Sequence, residues 1–346
     1  MYRIAWKKVR RVLVVKLRSI GDTVLSTPSL LALKRFLPTA EIDILLEDWV
    51  APVLDGFPGV NVITVGPTFG DRMSAAMELR RRRYDVAFNL HGGTTATFFT
   101  RASGAKHRVG YANYQYSFLY DHLLSDARDF WKTEAVHSAE QQLALLGYAG
   151  VPVDDRPKTR LAVTESSKRA IDQELESRIF DTSSVALLHP AAAFATKQWA
   201  AENFALVAEF LENKGFQIVA IAAKHEAHIL DDLKARSSVP ITAFNDLSLP
   251  EITALAAKAK LFVGNDSGIA HIAAAVNTPS VVIFGSSNRN HWRPWTNAPN
   301  EIVFEELPCQ PCAGYECRVF GEPKCILSVR VESVLNAIGR VLKTIP

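Results

Sequence analysis

The chain has 346 residues, 48% of them hydrophobic and 22% charged, with a formal net charge of +3. Such a composition excludes a disordered chain, the length exceeds what one core usually supports, and so small a net charge gives no ground for a nucleic-acid partner, which needs a concentrated basic stripe. There is no run of about 18 apolar residues, and the opening MYRIAWKKVRRVLVVK lacks the apolar segment and cleavage site of a secretory signal, so a cytoplasmic protein is expected.

In chain order, the basic lead-in of Arg3, Lys7, Lys8, Arg10 and Arg11 has two readings. It either touches an anionic membrane leaflet or is a solvated approach to the first strand. Residues 12–15 are β-branched or leucine throughout and read as a strand buried on both faces of a parallel sheet. A loop over 16–21 and a helical stretch ending near 37 complete the opening of a βαβ unit. Strands at 42–46, 60–65 and 86–89 follow, alternating with helical stretches such as 73–83, and the alternation runs to about 125. The polar 154–157 marks a linker region, although 166–176 has helical character. A second series has strands at 185–188, 216–222, 241–243, 261–263 and 280–284, with helices at 202–214, 225–236, 249–258 and 268–276 between them. Two doubly wound α/β domains are therefore expected, over 1–165 and 166–328. An amphipathic helix at 331–342, within a tail of 329–346, is expected to pack back on the first domain.

In such sheets ligands bind beyond the carboxyl ends of the strands, which directs attention to three loops. The first, Lys16 to Asp22, ends a buried strand and opens a helix, but carries neither GxGxxG nor GxxxxGK[ST]. Asp22 is either the helix cap or a general base at the cleft. The second loop runs from His189 through small residues to Thr196, Lys197 and Trp199. Thr196 and Lys197 can offer a hydroxyl and a cation to a diphosphate, though a loop lysine is often only solvated surface. In the third, a strand passes through Gly264-Asn265-Asp266-Ser267-Gly268 into an alanine-rich helix, whose first N–H groups form an anion site. Asp266 would repel phosphate, so it suits a sugar hydroxyl or the N-cap. His271 is either part of this site or a buried core histidine.

Together the segments VLVVKLRSIGDTVLSTPSLLALK, LHPAAAFATKQWAAENFALVAEFL and FVGNDSGIAHIAAAVNTPSVVIFGSSNRNHWRPW resemble the heptosyltransferases of lipopolysaccharide inner-core synthesis, glycosyltransferase family 9. They lie in order over nearly the whole chain, and the third is the most specific. The resemblance implies two facing Rossmann-like domains, the GT-B architecture, with the acceptor on the N-terminal domain and an ADP-heptose donor on the C-terminal one. It implies a metal-independent, inverting transfer that requires no cofactor. Asp22 then falls on the base, Lys197 with Thr196 beside it on the diphosphate contact, and Glu226 on the ribose contact. Asp266, Ser267, Gly268 and His271 fall on the loop facing sugar and phosphates. Ala191, Ala200 and Ile269 depart from the family's usual Gly, Pro and Pro, without removing a charge or a hydroxyl. Lys16, Arg18, Arg101 and Arg108 are assigned to an anionic glycolipid acceptor, met at the inner face of the cytoplasmic membrane by a protein peripheral at most. Arg80 to Arg83 are either a helix end satisfying its dipole or part of that anionic-acceptor surface.

Cys309, Cys312, Cys317 and Cys325 are the chain's four cysteines, spaced C-x2-C-x4-C-x7-C. The pattern is that of a structural zinc or iron site, or of four thiols that stay reduced around a loop. Four thiolates would leave no open position for catalysis, so no catalytic metal is expected. Another nucleotide-sugar enzyme, such as an epimerase, and a non-catalytic nucleotide-sugar-binding protein are the alternative functions, because fold alone does not fix chemistry.

Overall fold

The computed structural model describes residues 4–178, 181–312 and 315–345; Arg3 of the basic lead-in lies outside them. The chain divides into two units, Met1–Thr159 and Arg160–Pro346. The division falls earlier than the expected 165/166. Its reason is local: the Leu161 N–H donates to the Ala275 carbonyl at 3.1 Å, which ties the start of the second unit to its own helix.

In the first unit, β1 (Arg11–Val15), β2 (Glu41–Glu47), β3 (Asn61–Val65), β4 (Val86–Asn89), β5 (His107–Tyr111) and β6 (His122–Leu124) form one sheet in the order β3-β2-β1-β4-β5-β6. In the second, β7 (Val185–His189), β8 (Gln217–Ile221), β9 (Thr242–Phe244), β10 (Leu261–Asn265), β11 (Ser280–Phe284) and β12 (Asn300–Phe304) repeat the plan as β12-β11-β10-β7-β8-β9. Every strand pair is parallel. The central strands are apolar without alternation because helices cover both of their faces. Val14 sits between Ile44 and Phe88, and Val263 between Leu188 and Val281.

β5, β6 and β12 are the strands that the apolar-run criterion did not single out. HRVGY, HLL and NEIVF contain no hydrophobic run longer than three residues. Two of them, β6 and β12, are sheet edges, where solvent permits polar residues.

Each sheet reverses its winding between two central strands, β1 and β4 in the first and β7 and β10 in the second. At such a switch point the neighbouring connections leave in opposite directions and open a crevice beyond the carboxyl ends. The loops after Val15 and Asn89, and after His189 and Asn265, border these two crevices.

The final helix, Val331–Leu342, buries Val334, Ala337, Ile338 and Val341, a single helical stripe. That stripe joins the core of the second unit with Trp199, Phe204, Leu211 and Ile283, and Arg340 pairs with Glu301 of β12 at 2.6 Å. The helix packs on β11, β12 and the helix Ala201–Glu212 of its own unit. Among the described residues no helix is long and apolar enough to cross a membrane.

Candidate active site

At the first switch point, β1 delivers Lys16 into the crevice, with only 4% of it exposed. Its ammonium donates to Asp22 Oδ1 at 2.8 Å and to the Leu90 carbonyl after β4 at 3.1 Å. Ser19 donates its hydroxyl to Asp22 Oδ2 at 2.7 Å and accepts the Asp22 N–H at 3.3 Å. The helix cap is therefore Ser19, and Asp22 is the third residue of the helix Ile20–Val24. Ser19 has φ 65°, a conformation costly for a residue with a Cβ and held only where surroundings over-determine it.

Burial is the largest influence on Asp22 and pushes its pKa up. The Lys16 charge and the hydrogen bonds from Lys16 and Ser19 outweigh it, so the carboxyl lies below its usual range. His91, also in this electrostatic neighbourhood, is pushed down to about 4, first by burial and then by the Lys16 charge. It is neutral at pH 7. The backbone N–H groups of His91 and Gly92 donate to Asn89 Oδ1 at 3.0 and 2.8 Å, and Asn89 Nδ2 donates to the Tyr120 hydroxyl at 2.7 Å. This network fixes the turn after β4.

The four residues assigned to the acceptor do not form one cluster. Lys16 is spent on Asp22 and Leu90, and acts as the partner of the carboxylate. Arg18 is exposed beside His91. Arg101 lines a cavity of about 470 Å³ with Arg80, Thr97, Phe98 and Tyr116. Arg108 is at the amino end of β5, away from the crevice, and is held bidentately by Asp121 at 2.9 Å. Strand direction sets this, because the crevice opens at the other end of a parallel sheet.

At the second switch point, the loop after β7 and the turn after β10 converge. Asn265 accepts the Trp199 N–H at 3.1 Å and donates to the Pro190 carbonyl at 2.8 Å, clasping both ends of the loop. Lys197 forms an ion pair with Asp266 at 2.9 Å, the lysine side chain 23% and the aspartate 5% exposed. Asp266 is therefore the partner of the loop cation, and Ser267 is the N-cap. No side chain caps the helix Gly268–Ala275, so its first amides keep their capacity for an anion. The Ser267 hydroxyl lies 3.2 Å from Nδ1 of His189, whose burial pushes its pKa down to about 4. His271 is buried on the same helix. Glu226 follows β8, the neighbour of β7, and accepts the Ala223 N–H at 3.0 Å.

Sequence reasoning missed Ser19, Asn89, His91 and the role of His189. Ser19 carried a signal, a serine three residues before an acid at a helix start. Asn89 and His91 carried only their position after a strand, which becomes informative once β4 is known to adjoin β1.

The four cysteines line one cavity of about 330 Å³ together with Thr196. Among the described residues, however, no group of three or more His, Cys, Asp or Glu is arranged to hold a metal ion. The metal reading of the spacing is not met. Cys325 is buried while the other three are half-exposed, and burial, reinforced by the neighbouring thiols, pushes its pKa up.

The architecture is that of solved sugar transferases. Escherichia coli ADP-heptose lipopolysaccharide heptosyltransferase II superposes with a TM-score of 0.79 at 22% identity, over 96% of this chain and 98% of that one. E. coli heptosyltransferase WaaC with ADP gives 0.71 at 19%, over 97% and 100%. The fold is the GT-B glycosyltransferase fold. The family model of glycosyltransferase family 9 (heptosyltransferase) matches residues 72–321, and the chain belongs to that family and is a glycosyltransferase. Among its relatives, lipopolysaccharide heptosyltransferase 3 of E. coli is 29% identical over 83% of this chain and 86% of its own length.

Proposed function

We propose that this glycosyltransferase moves a heptose from ADP-heptose to a hydroxyl of the lipopolysaccharide inner core, with inversion at the anomeric carbon. The observation that carries the reading is the separation of chemical roles between the two switch points. One holds a carboxylate, Asp22, kept below its usual range by Lys16 and Ser19 against the raising effect of burial, and the other a lysine, a buried threonine and an uncapped helix start suited to a diphosphate.

In this mechanism Asp22 takes the proton of the acceptor hydroxyl as its oxygen forms the bond to the anomeric carbon. The bond to the ADP oxygen breaks on the opposite face, and ADP leaves with both electrons. Lys197, Thr196 and the amides of Ser267 and Gly268 meet its growing charge. Asp266, already paired with Lys197, accepts from the sugar, and Glu226 from the ribose. The relatives' names support heptose and lipopolysaccharide, and the ADP in the WaaC structure supports an adenine nucleotide. The cavity bearing Arg80 and Arg101 beside Phe98 and Tyr116 suits an anionic, lipid-linked acceptor, met from the cytoplasm by peripheral contact with the membrane.

The test supplies purified protein with ADP-heptose, ADP-glucose or UDP-glucose and an inner-core acceptor, and reads the product's anomeric configuration by NMR. Transfer from ADP-heptose with inversion is expected. Retention, or a preference for UDP-glucose, overturns the reading.

A further inference from the structure

We propose that Ser286 is a positioning residue for the donor, holding Thr196 and, through it, Lys197 where the diphosphate is to be met; this rests on the reading of those two residues as diphosphate contacts. Lys197 ends a three-residue 3-10 turn, Ala195–Lys197, that has no side-chain cap. The loop before it is built from Ala191, Ala192 and Ala193, which offer no polar side chain to fix its path. Asp266 holds the ammonium itself and Asn265 the two ends of the loop, while the turn between them is tied to a third segment.

Two bonds from one residue reach that turn. The Ser286 N–H donates to the Thr196 carbonyl at 3.2 Å, and the Ser286 hydroxyl donates to Thr196 Oγ1 at 3.0 Å. Both residues are buried, at 2% and 1% exposed, so water does not substitute for either bond. The approach is so close that a Cβ on Gly285 would stand 2.1 Å from the Thr196 carbonyl oxygen. Only glycine permits it.

Residues 285–286 are gripped equally from the other side. Gln310 Nε2 donates to the Gly285 carbonyl at 2.6 Å, and the Cys312 N–H donates to the Ser286 carbonyl at 3.0 Å. Gln310 is itself oriented by the Leu307 N–H, which donates to its Oε1 at 2.9 Å. The cysteine-bearing loop, the end of β11 and the donor loop thus form one chain of hydrogen bonds ending at the residue before Lys197. This gives the loop around Cys309 and Cys312 a role that needs no metal.

The full-length protein is titrated with ADP by calorimetry and assayed with ADP-heptose, as parent and as Ser286→Ala, Ser286→Thr, Thr196→Val, the Ser286→Ala/Thr196→Val double, Gln310→Ala and Lys197→Ala. Loss of one buried hydrogen bond predicts about 3- to 10-fold weaker ADP binding for Ser286→Ala, with a matching rise in KM and kcat within about twofold. Ser286→Thr restores affinity, and the double variant binds no more weakly than Thr196→Val, since both remove the same bond. Gln310→Ala, at a half-exposed site, repeats the KM effect at about 2- to 3-fold and serves if Ser286→Ala does not fold. Parental ADP affinity in both Ser286→Ala and Gln310→Ala, a loss confined to kcat, or additive effects in the double variant would overturn the proposal. Lys197→Ala separates the two readings. If it binds ADP like the parent, the diphosphate assignment fails; if it binds weakly while Ser286→Ala is unaffected, only the positioning role fails.

Discussion

A carboxylate 2.8 Å from a buried lysine makes the proposed base an unusual one, because its own affinity for a proton is lowered. What Lys16 and Ser19 provide instead is a carboxylate that is ionised to lower pH and held in one orientation. Asp22→Asn keeps the shape and removes the base, so transfer should fall by about 10²–10⁴-fold, while ADP affinity, read by calorimetry, stays at the parental value. Parental turnover in this variant would sink the base assignment. The pH profile tests the partner. Asp22 is held low by Lys16 against a raising effect of burial, so Lys16→Met should move the acidic limb of kcat to higher pH. Because the parental value is depressed, the stability contributed by the pair is present above the ordinary carboxylate pKa and is lost as pH falls through the depressed one. An acidic limb that stays in place in Lys16→Met would show that another group controls it. Asp22, Thr196, Lys197, Asp266 and Ser267 were legible as residues, since each follows a strand in a loop with helix-start chemistry. Their partners were not: nothing within either motif says that Lys197 meets Asp266, or that Lys16 turns inward.

At the scale of elements, the loops are held by the strands that flank a switch point, and Asn265 is the clearest instance. One amide, at the end of β10, satisfies backbone groups at both ends of the loop after β7. Such a clasp exists only because β7 and β10 are neighbours. The closing helix Val331–Leu342 illustrates the limit of periodicity. Its stripe was plain in the sequence, yet the surface it covers was not, because hydrophobic burial is non-directional. Ile338 is fully buried in that stripe. Ile338→Ala should cost about 2–5 kcal/mol through lost contacts and a residual cavity, seen as a lower denaturant midpoint. A change under about 0.5 kcal/mol, the level of an exposed site, would contradict the packing on β11 and β12.

For the whole molecule, the leaving diphosphate's charge is assigned to protein groups, namely Lys197, Thr196 and the amides opening the helix Gly268–Ala275. Turnover is therefore expected to be unchanged in EDTA relative to added Mg²⁺ or Mn²⁺. A rate that vanishes in EDTA with the fold intact, and returns with Mg²⁺, would place the work of neutralisation on a cation. The sequence by itself determined the two βα series, the α/β class and the three loops that carry polar chemistry, because strand and helix periodicity and turn residues are local properties of a chain. It also determined that Asp22 stands at a helix start after a buried strand. Only the tertiary structure decided which loops meet, that Ser19 caps while Asp22 pairs with Lys16, that Arg108 stands at the amino end of its strand in the grip of Asp121, and that the four cysteines converge without forming a ligand set. The physical reason is common to all of these. Strand order brings together segments far apart in the chain, and the contacts between them depend on distances that no local spacing encodes.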